Sequence, residues 1–581
     1  MFAHPPRHAF AVALAVSLVG ASWACSKASP ATSSADAATA SSPAPRSGDW
    51  SRARAGALQT IRDLDPLGSV SLGLHDYDGK LRDVSPDGLA AAESAMVAAL
   101  ADLDAVDPRS LSAIERVELD SLRVRLDGDL FELQVRRSRW RNPMVYVNDV
   151  ELTPYVSRDY RPVDARAQAV IAVAKASVAH FEHAKGNLEA ELPAPFVDTA
   201  LLQTRGTIAF VRDDVPKALA GLDEARAKEL GEALATMQGA LEGYEAFLVE
   251  RQASANADFR LGEATFLEML RRTQGIDMSL DELHAMAHAD LERNWALAIE
   301  AARQIDPNKD IEAVMAEVAA DKPEADQVLA TAAQQAVDAR QFLLDRAIVT
   351  IPTEDVVEVT ETPTFMRWNS AFLDGAGPFE TAPLPSFYYI SPPDPSWPEA
   401  QQVAYIPGRT DLLFITVHEV WPGHFLHGLH VDVNASEVLR SLWNFTTGEG
   451  WAHYTEEMMW DEGLSTDPKV RLGQLQNALL RNVRFLSALG LHTGAMTVDE
   501  SAELFRTRAF QDPVNAEQQA KRGTFDPMYL AYTLGKLMIL DLREQWLAAG
   551  EGRTLGQFHD ALLSYACAPL PAVRAAMLEE G

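Results

Sequence analysis

The sequence contains few cysteines and fewer basic than acidic residues. Only two of its 581 residues are cysteines, Cys25 and Cys567, so neither a disulfide-rich scaffold nor a cysteine-rich zinc module is possible. Lysines and arginines number 51 against 83 aspartates and glutamates, and the net charge is −32. A nucleic-acid-binding surface needs basic residues to contact phosphates. The charge balance therefore argues against a nucleic acid as partner.

The N-terminus has the pattern of an export signal. A basic residue, Arg7, precedes the apolar stretch Phe10 to Val19, and small residues precede Cys25. We therefore predict a signal peptide over residues 1–24. Residues 22–25 resemble a bacterial lipoprotein cleavage box, in which Cys25 would carry the lipid. The alternative is ordinary cleavage after Ala24, which would release a free periplasmic or secreted protein.

The next segment, residues 25–47, is rich in alanine, serine and proline. Such a composition has too few large apolar side chains to pack a core, and we predict a disordered tether. No later segment is apolar enough to span a bilayer. The sequence thus predicts an exported protein that contacts a membrane only through an N-terminal lipid anchor.

Residues 48–581 have the pattern of a mostly α-helical domain. Apolar residues recur at three- and four-residue spacing with little glycine or proline inside the long segments. Long amphipathic helices are predicted over Ser110 to Arg137, Ala165 to Glu189 and Pro216 to Gln252. Capping boxes that begin at Ser279 and Thr497 mark two further helix starts.

One stretch, Ala347 to Ile406, departs from the helical pattern. Its β-branched and aromatic runs lie among prolines and glycines, which predicts a small sheet. The predicted strand segments are 348–351, 356–360, 386–390 and 403–406. We also expect the part around Tyr388 to Tyr405 to offer an edge strand to an extended peptide.

The residues typical of catalysis begin with a His-Glu pair, His418 and Glu419, at the end of a short apolar helix. The sequence Val420-Trp421-Pro422-Gly423-His424 follows directly. A His-Glu pair on a helix is typical of zinc hydrolases, in which the glutamate acts on a zinc-bound water. The second histidine usually follows four residues later, but His424 lies six after His418, about 120° away on an ideal helix. Pro422 would break the helix and Gly423 would permit the return of the chain. Either the helix is interrupted and both histidines bind metal, or the motif is a coincidence.

A third metal ligand is needed, because catalytic zinc often takes two histidines and one carboxylate. Glu449 is our choice. His453 and Glu456 lie four and seven residues further on and share its helix face. His453 is a rival ligand, and Glu456 would orient an imidazole. His427 and His430 are interpreted as surface residues or as neighbours of the ligands, and the pair His284 and His288 as an exposed helix face.

At these residues the chain resembles the bacterial family called domain of unknown function 885. The family motif His-Glu-Gly-Tyr-Pro-Gly-His-His aligns on His418 to Phe425, and Glu-Gly-Trp-Ala-Leu-Tyr-Ala-Glu aligns on Glu449 to Glu456. The family is similar to the helical zinc peptidases grouped with Taq-type carboxypeptidase, the oligopeptidases and angiotensin-converting enzyme. The resemblance implies a bilobed bundle of long helices around a deep cleft, with the small sheet beside the metal site. The lobes would cover about residues 48–345 and 346–581.

The predicted cofactor is one Zn²⁺ ion held by His418, His424 and Glu449, with Glu419 as general base. The oxyanion needs a further donor; Tyr532 is the first choice by resemblance, His492 the second and Tyr529 the third. Four residues are predicted to bind the substrate. Three arginines would pair with a substrate carboxylate, and they are Arg481, Arg484 and Arg522. Tyr529 would contact the substrate through its hydroxyl. Arginines on an acidic protein also commonly pair locally.

These residues predict a zinc metallopeptidase that cleaves short peptides. A zinc hydrolase of a non-peptide amide or ester would use the same site. A non-catalytic lipoprotein with a structural metal is the third hypothesis, and it requires a fourth protein ligand such as His453 or His427.

Overall fold

The computed structural model describes residues 47–367 and 370–579. The predicted signal peptide, Cys25 and residues 26–46 of the predicted tether lie outside the described residues. Ser47, the last residue of that predicted tether, begins the first helix.

Most of the described chain is helical, as the apolar spacing predicted. The first ten helices of nine or more residues are α1 Ser47–Leu64, α2 Pro86–Asp104, α3 Ala113–Gln134, α4 Val163–Asn187, α5 Ala194–Asp213, α6 Glu224–Gln252, α7 Glu263–Gln274, α8 Leu280–Ile305, α9 Ile311–Ala320 and α10 Val328–Arg346. After the sheet follow α11 Arg409–Glu419, α12 His424–Asp432, α13 Phe445–Asp461, α14 Pro468–Thr493, α15 Val498–Arg508, α16 Pro513–Phe525, α17 Ala531–Ala548, α18 Leu555–Leu563 and α19 Leu570–Glu579.

Local signals set several of these helix boundaries. The two predicted capping boxes are present, at Ser279 before α8 and at Thr497 before α15. The predicted helix over Pro216 to Gln252 is interrupted, because Gly221 has a positive φ of 95°. Asp223 then caps α6 by accepting from the backbone N–H of Arg226 at 2.8 Å.

The sheet has three strands, β1 Val357–Glu361, β2 Ala371–Asp374 and β3 Ser386–Ile390, in the order β1-β3-β2. β1 runs parallel and β2 antiparallel to β3. The predictions for β1 and β3 are confirmed. Those for residues 348–351 and 403–406 are wrong, since the first forms no strand and the second is the end of a helix, Glu399–Tyr405, with Ile406 as its C-cap. Short β-branched runs do not distinguish a strand from a buried helix end.

The packing connects residues that are far apart in sequence. α8 lies against α14, and α13 lies against α17. One apolar cluster combines residues of α7 and α8 with residues of α14 and α17, among them Phe266, Leu283, Leu479 and Leu534. Residues from both sides of the predicted lobe boundary near residue 345 thus belong to one apolar cluster, and the division into lobes stays a prediction. None of the helices in residues 47–367 and 370–579 has the length and apolar character needed to cross a bilayer.

Candidate functional site

A tight turn between α11 and α12 brings the two motif histidines together. α11 ends at Glu419, the Trp421–Pro422 peptide bond is cis, and α12 begins at His424. The turn passes so close to α11 that a Cβ atom on Gly423 would lie 1.7 Å from the carbonyl oxygen of His418. Only glycine fits there. As a result, the imidazole rings of His418 and His424 lie 4.8 Å apart, almost perpendicular to each other.

Glu449 on α13 completes a group of three possible metal ligands. Its Oε2 atom lies 3.4 Å from Nε2 of His418 and 3.4 Å from Nε2 of His424. One ligand atom from each residue lies within 4.8 Å of the others. Buried Oε2 has no hydrogen-bond partner among the described residues. Burial alone would raise the pKa of Glu449, but the two histidines lower it well below its usual value.

This donor set fits zinc. Four ligands placed tetrahedrally about 2.0–2.1 Å from zinc are separated from one another by about 3.3 Å. The two nitrogen–oxygen separations at the site match this spacing. Two imidazole nitrogens and one carboxylate oxygen are also the ligands of many catalytic zinc sites, which keep one position open. His453 and His427 do not belong to the group, so the described residues provide three ligands and no fourth.

Glu456 and Arg481 contact His418 at Nδ1, the ring nitrogen that does not face Glu449. The Nδ1 atom of His418 lies 2.8 Å from Oε1 of Glu456, and Arg481 Nη2 lies 3.0 Å from the same oxygen. Burial and Arg481 lower the pKa of His418, but the carboxylates of Glu449 and Glu456 outweigh them and raise it to about 9. Burial would raise the pKa of Glu456, and Arg481 lowers it. Arg481 thus already has a carboxylate partner, so we assign it to Glu456 and not, as predicted, to the substrate.

Glu419 follows His418 at the end of α11 and contacts the sheet. Its Oε2 atom accepts a hydrogen bond from the backbone N–H of Leu373 in β2 at 2.9 Å. No other hydrogen bond to this carboxylate is found within the described residues, so Oε1 remains open to a water. The small sheet therefore does lie beside the predicted metal site. The sequence missed β2, because a strand of four residues is too short for a reliable periodic signal.

Tyr532 lies next to the ligand group. Its ring stacks on that of His418 at 6.1 Å, and Phe445 contacts its other side at 6.0 Å edge to face. Burial and the negative charge of Glu449 raise the pKa of Tyr532, so its hydroxyl is protonated at neutral pH and able to donate.

Arg484 and Arg522 lie beyond Tyr532. The guanidinium carbon of Arg484 is 5.2 Å from the centre of the Tyr532 ring. Arg522 pairs with Asp526 at 2.8 Å. Burial would lower the pKa of Arg522, but Asp526 and Tyr532 raise it. Arg522 therefore has an anionic partner of its own.

Two of the predicted site residues are placed in the core. His492 Nε2 bonds to the carbonyl oxygen of Gly523 at 2.8 Å, and its ring packs on Phe266. Burial lowers the pKa of His492 to about 4. The Tyr529 hydroxyl donates to Ser487 Oγ at 2.5 Å. Both side chains have structural partners, and neither contacts the ligand group.

The remaining histidines also have structural environments. His453 is fully buried, and its Nδ1 atom lies 3.5 Å from Glu456 Oε2. His427 is fully buried and bonds to the Ala566 carbonyl at 3.0 Å, which corrects the expectation of a surface residue. The rings of His284 and His288 stack at 6.1 Å on α8. Cys567 is a buried free thiol that donates to the Asn444 carbonyl.

The sequence analysis also missed Trp443. Its ring lies 6.1 Å from that of His424 and fills the space where a Cβ atom of Gly448 would be, 2.0 Å from Cζ2. An aromatic residue shortly before the Glu449 motif is a weak local signal, because its position beside His424 depends on the return of the chain through α12.

A family model described as bacterial protein of unknown function, DUF885, matches residues 66–577. The chain is a DUF885 protein. No curated protein matched this DUF885 chain. Among solved structures it is similar to a candidate lipoprotein of unknown function from Shewanella oneidensis, with a TM-score of 0.77 and 22% identity over 91% of this chain and 99% of that one. It is also similar to a candidate lipoprotein from Colwellia psychrerythraea, with a TM-score of 0.71 and 17% identity over 92% and 100%. At these identities the likeness shows a shared fold.

Proposed function

We propose that this DUF885 protein is a zinc-dependent metallopeptidase that cleaves short peptides. One observation carries the proposal: the open three-ligand group His418, His424 and Glu449 includes the neighbour of a second carboxylate, since Glu419 follows His418 on α11 and has one oxygen bound by Leu373. A structural zinc site usually has four protein ligands. A site with three ligands and an adjacent base is instead suited to hydrolysis.

Each residue of the site has a place in the reaction. Bound zinc would acidify a water molecule and polarise the scissile carbonyl. Glu419 accepts the proton of the attacking water through Oε1 while Leu373 holds its other oxygen, and then returns this proton to the leaving amine. Tyr532 donates to the carbonyl oxygen as negative charge develops. Glu456 keeps a proton on His418 Nδ1, so that Nε2 faces the zinc position.

The sheet supports a peptide over a non-peptide amide or ester. β2 is an edge strand, and the outward N–H of Leu373 already reaches Glu419. An edge strand can pair with an extended peptide through its backbone groups. The sequence analysis favoured the part around Tyr388 to Tyr405 for this role, but its strand residues belong to β3, which is central with neighbours on both sides, and its end is helical. β2 therefore replaces it.

We further propose export and lipid anchoring at Cys25. The pattern of residues 1–25 supports this, and both similar structures are those of candidate lipoproteins. Metabolic labelling with a palmitate analogue checks it, with Cys25→Ser as the variant. Unchanged labelling of the variant would exclude anchoring at this residue.

Metal analysis combined with hydrolysis assays tests the enzymatic proposal. We expect about one zinc per purified chain, loss of zinc in His418→Ala, and a Glu419→Gln protein that retains zinc but loses at least about 100-fold in kcat, as for other essential acid–base groups. Mixed peptides and small esters are assayed in parallel. Absence of zinc, or unchanged hydrolysis by Glu419→Gln, contradicts the proposal, and activity on esters alone favours the non-peptide alternative.

A further inference from the structure

Arg484 on α14 is a buried cation without a counterion. Its exposed fraction is 8%, and its Nε atom donates to the amide oxygen of Gln519 at 2.9 Å. No carboxylate of the described chain lies within 4.0 Å of its guanidinium, whereas Arg481 and Arg522 pair with Glu456 and Asp526. Buried charges are normally paired, because removal from water is costly.

The surroundings of Arg484 increase this imbalance. Burial, followed by the positive charge of Arg522, lowers its pKa to about 10, and Arg481 acts in the same direction. The side chain nevertheless remains protonated at neutral pH. Tyr532 and Tyr529 are the groups that oppose this shift, and both are neutral hydroxyls at that pH. The surroundings of Arg484 therefore favour binding of an anion.

Arg471, in the first turn of α14, is an informative comparison. It is equally buried at 8%, lies over Trp460 at 5.2 Å and bonds to the amide oxygen of Gln474 at 2.9 Å. The charges around it differ, because Glu457 and Asp461 favour its protonated form. Burial over an aromatic ring is thus a feature of both arginines, whereas an arginine-rich environment is specific to Arg484.

Arg484 is also at a useful distance from the ligand group. Its guanidinium carbon lies 5.2 Å from the Tyr532 ring, whose centre lies 6.1 Å from the ring of His418. One residue of extended chain spans about 3.5 Å. An anion on Arg484 can therefore belong to a substrate whose reacting carbonyl is one or two residues away.

We propose that Arg484 binds the terminal α-carboxylate of the peptide substrate, which makes the protein a carboxypeptidase. The inference rests on the proposed function. A guanidinium pairs with a carboxylate through two parallel hydrogen bonds. Water adds to the carbonyl carbon of the peptide bond that precedes the last residue or the last two residues. The C–N bond then breaks and the amine takes a proton. The leaving product carries this amine at one end and, at the other, the carboxylate that Arg484 binds. The products are a shortened peptide and a free amino acid or dipeptide.

Calorimetric binding to the zinc-loaded Glu419→Gln protein tests this without turnover. The probes are acetyl-Ala-Phe with a free carboxylate and the same compound as its C-terminal amide. We expect the acid to bind at least 10-fold more tightly than the amide. Adding Arg484→Met should abolish this preference, Arg484→Lys should retain part of it, and Arg471→Met is the matched control that should leave it unchanged.

Equal binding of acid and amide, binding of neither, or a preference that survives Arg484→Met would overturn the inference. The comparison of the two probes on Glu419→Gln needs no change at Arg484, so it decides even where Arg484→Met does not fold. Acid preference without hydrolysis by the wild-type protein would contradict the proposed function and leave the anion site standing. Hydrolysis of the acid and the amide at equal rates would support the proposed function and contradict the carboxylate site at Arg484.

Discussion

The Nδ1 atom of His418 lies 2.8 Å from Oε1 of Glu456, seven residues after Glu449 on the same helix. α13 therefore provides two carboxylates to one imidazole, Glu449 at Nε2 and Glu456 at Nδ1. A carboxylate at Nδ1 favours the tautomer with the proton on that atom, which leaves Nε2 as the metal-binding atom. Because residues seven apart lie on the same helix face, α13 can present Glu449 to Nε2 and Glu456 to Nδ1.

This relationship predicts the effect of Glu456→Gln. Removal of the charge weakens the hold on His418 Nδ1 and leaves Arg481 without its anionic partner, and we expect the zinc affinity to fall about 10–100-fold. Competition with a fluorescent chelator measures the affinity. Glu503→Gln, at an exposed carboxylate on α15, is the control. Equal zinc affinities of Glu456→Gln and wild type would show that Glu456 does not position the ligand.

The turn between the motif helices predicts a strong effect of Gly423→Ala. The new methyl group would lie 1.7 Å from the His418 carbonyl oxygen, so the turn must move and take His424 with it. We expect loss of zinc from the purified protein. Gly231→Ala on α6 is the matched control: nothing lies within 4 Å of its Cβ position, and it should stabilise the helix by about 0.5–1 kcal/mol. Full zinc content in Gly423→Ala would contradict this account of the turn.

Two buried tyrosines form a matched pair for the oxyanion donor. Tyr532→Phe removes the hydroxyl of the ring that stacks on His418, and we expect kcat to fall about 10²–10³-fold with zinc content unchanged. Tyr529→Phe removes a hydroxyl that bonds to Ser487 and should leave kcat as in wild type. Steady-state kinetics with one peptide decides between them. A larger loss in Tyr529→Phe would reverse our assignment.

The position of His492 predicts that it acts in folding and not in catalysis. Its Nε2 atom bonds to the Gly523 carbonyl, and leaving that acceptor unpaired costs about 1–3 kcal/mol. We expect His492→Ala to lower the free energy of unfolding by at least this much, while kcat per zinc-bound molecule is retained. Urea unfolding and active-site-normalised kinetics measure the two quantities. A fall in kcat with unchanged stability would restore the catalytic role.

Four buried histidines predict a loss of stability in mild acid. Burial lowers the pKa of each to about 4; they are His427, His453, His492 and His559. Between pH 6.5 and 4 the unfolded chain binds protons at these positions and the folded chain does not, so stability decreases as pH falls. Each contributes up to about 1.4 kcal/mol per pH unit.

Urea unfolding at pH 7, 6 and 5 measures this slope. His492→Gln retains a donor for Gly523 but does not titrate, so its slope should be shallower by about one proton. His75 and His418 oppose the effect above about pH 6, because their carboxylate partners raise the pKa of each to about 9 against the effect of burial. Below about pH 6 their contributions are almost complete, so the interval from pH 6 to 5 reports the four buried histidines. Stability that is constant from pH 6 to 5 would contradict the prediction.

Most of the helical fold and the core of the candidate site were predictable from local sequence. Apolar spacing and capping boxes depend on residues within one or two helical turns. The interruption of the motif helix followed from Pro422 and Gly423 in the same way. The strands were predicted less well, because short β-branched runs also occur at buried helix ends, and Ala371–Asp374 had no periodic signal.

The amino-acid sequence by itself determined the ligand types, the break between His418 and His424, and the shared face of Glu449 and Glu456. All of these depend on residues close together in the chain. Only the tertiary structure decided that Leu373 reaches Glu419, that Arg481 pairs with Glu456 while Arg484 has no counterion, and that His492 lies in the core. Side chains of the same type look identical in sequence, and which of them meets a partner depends on how distant helices and strands pack together.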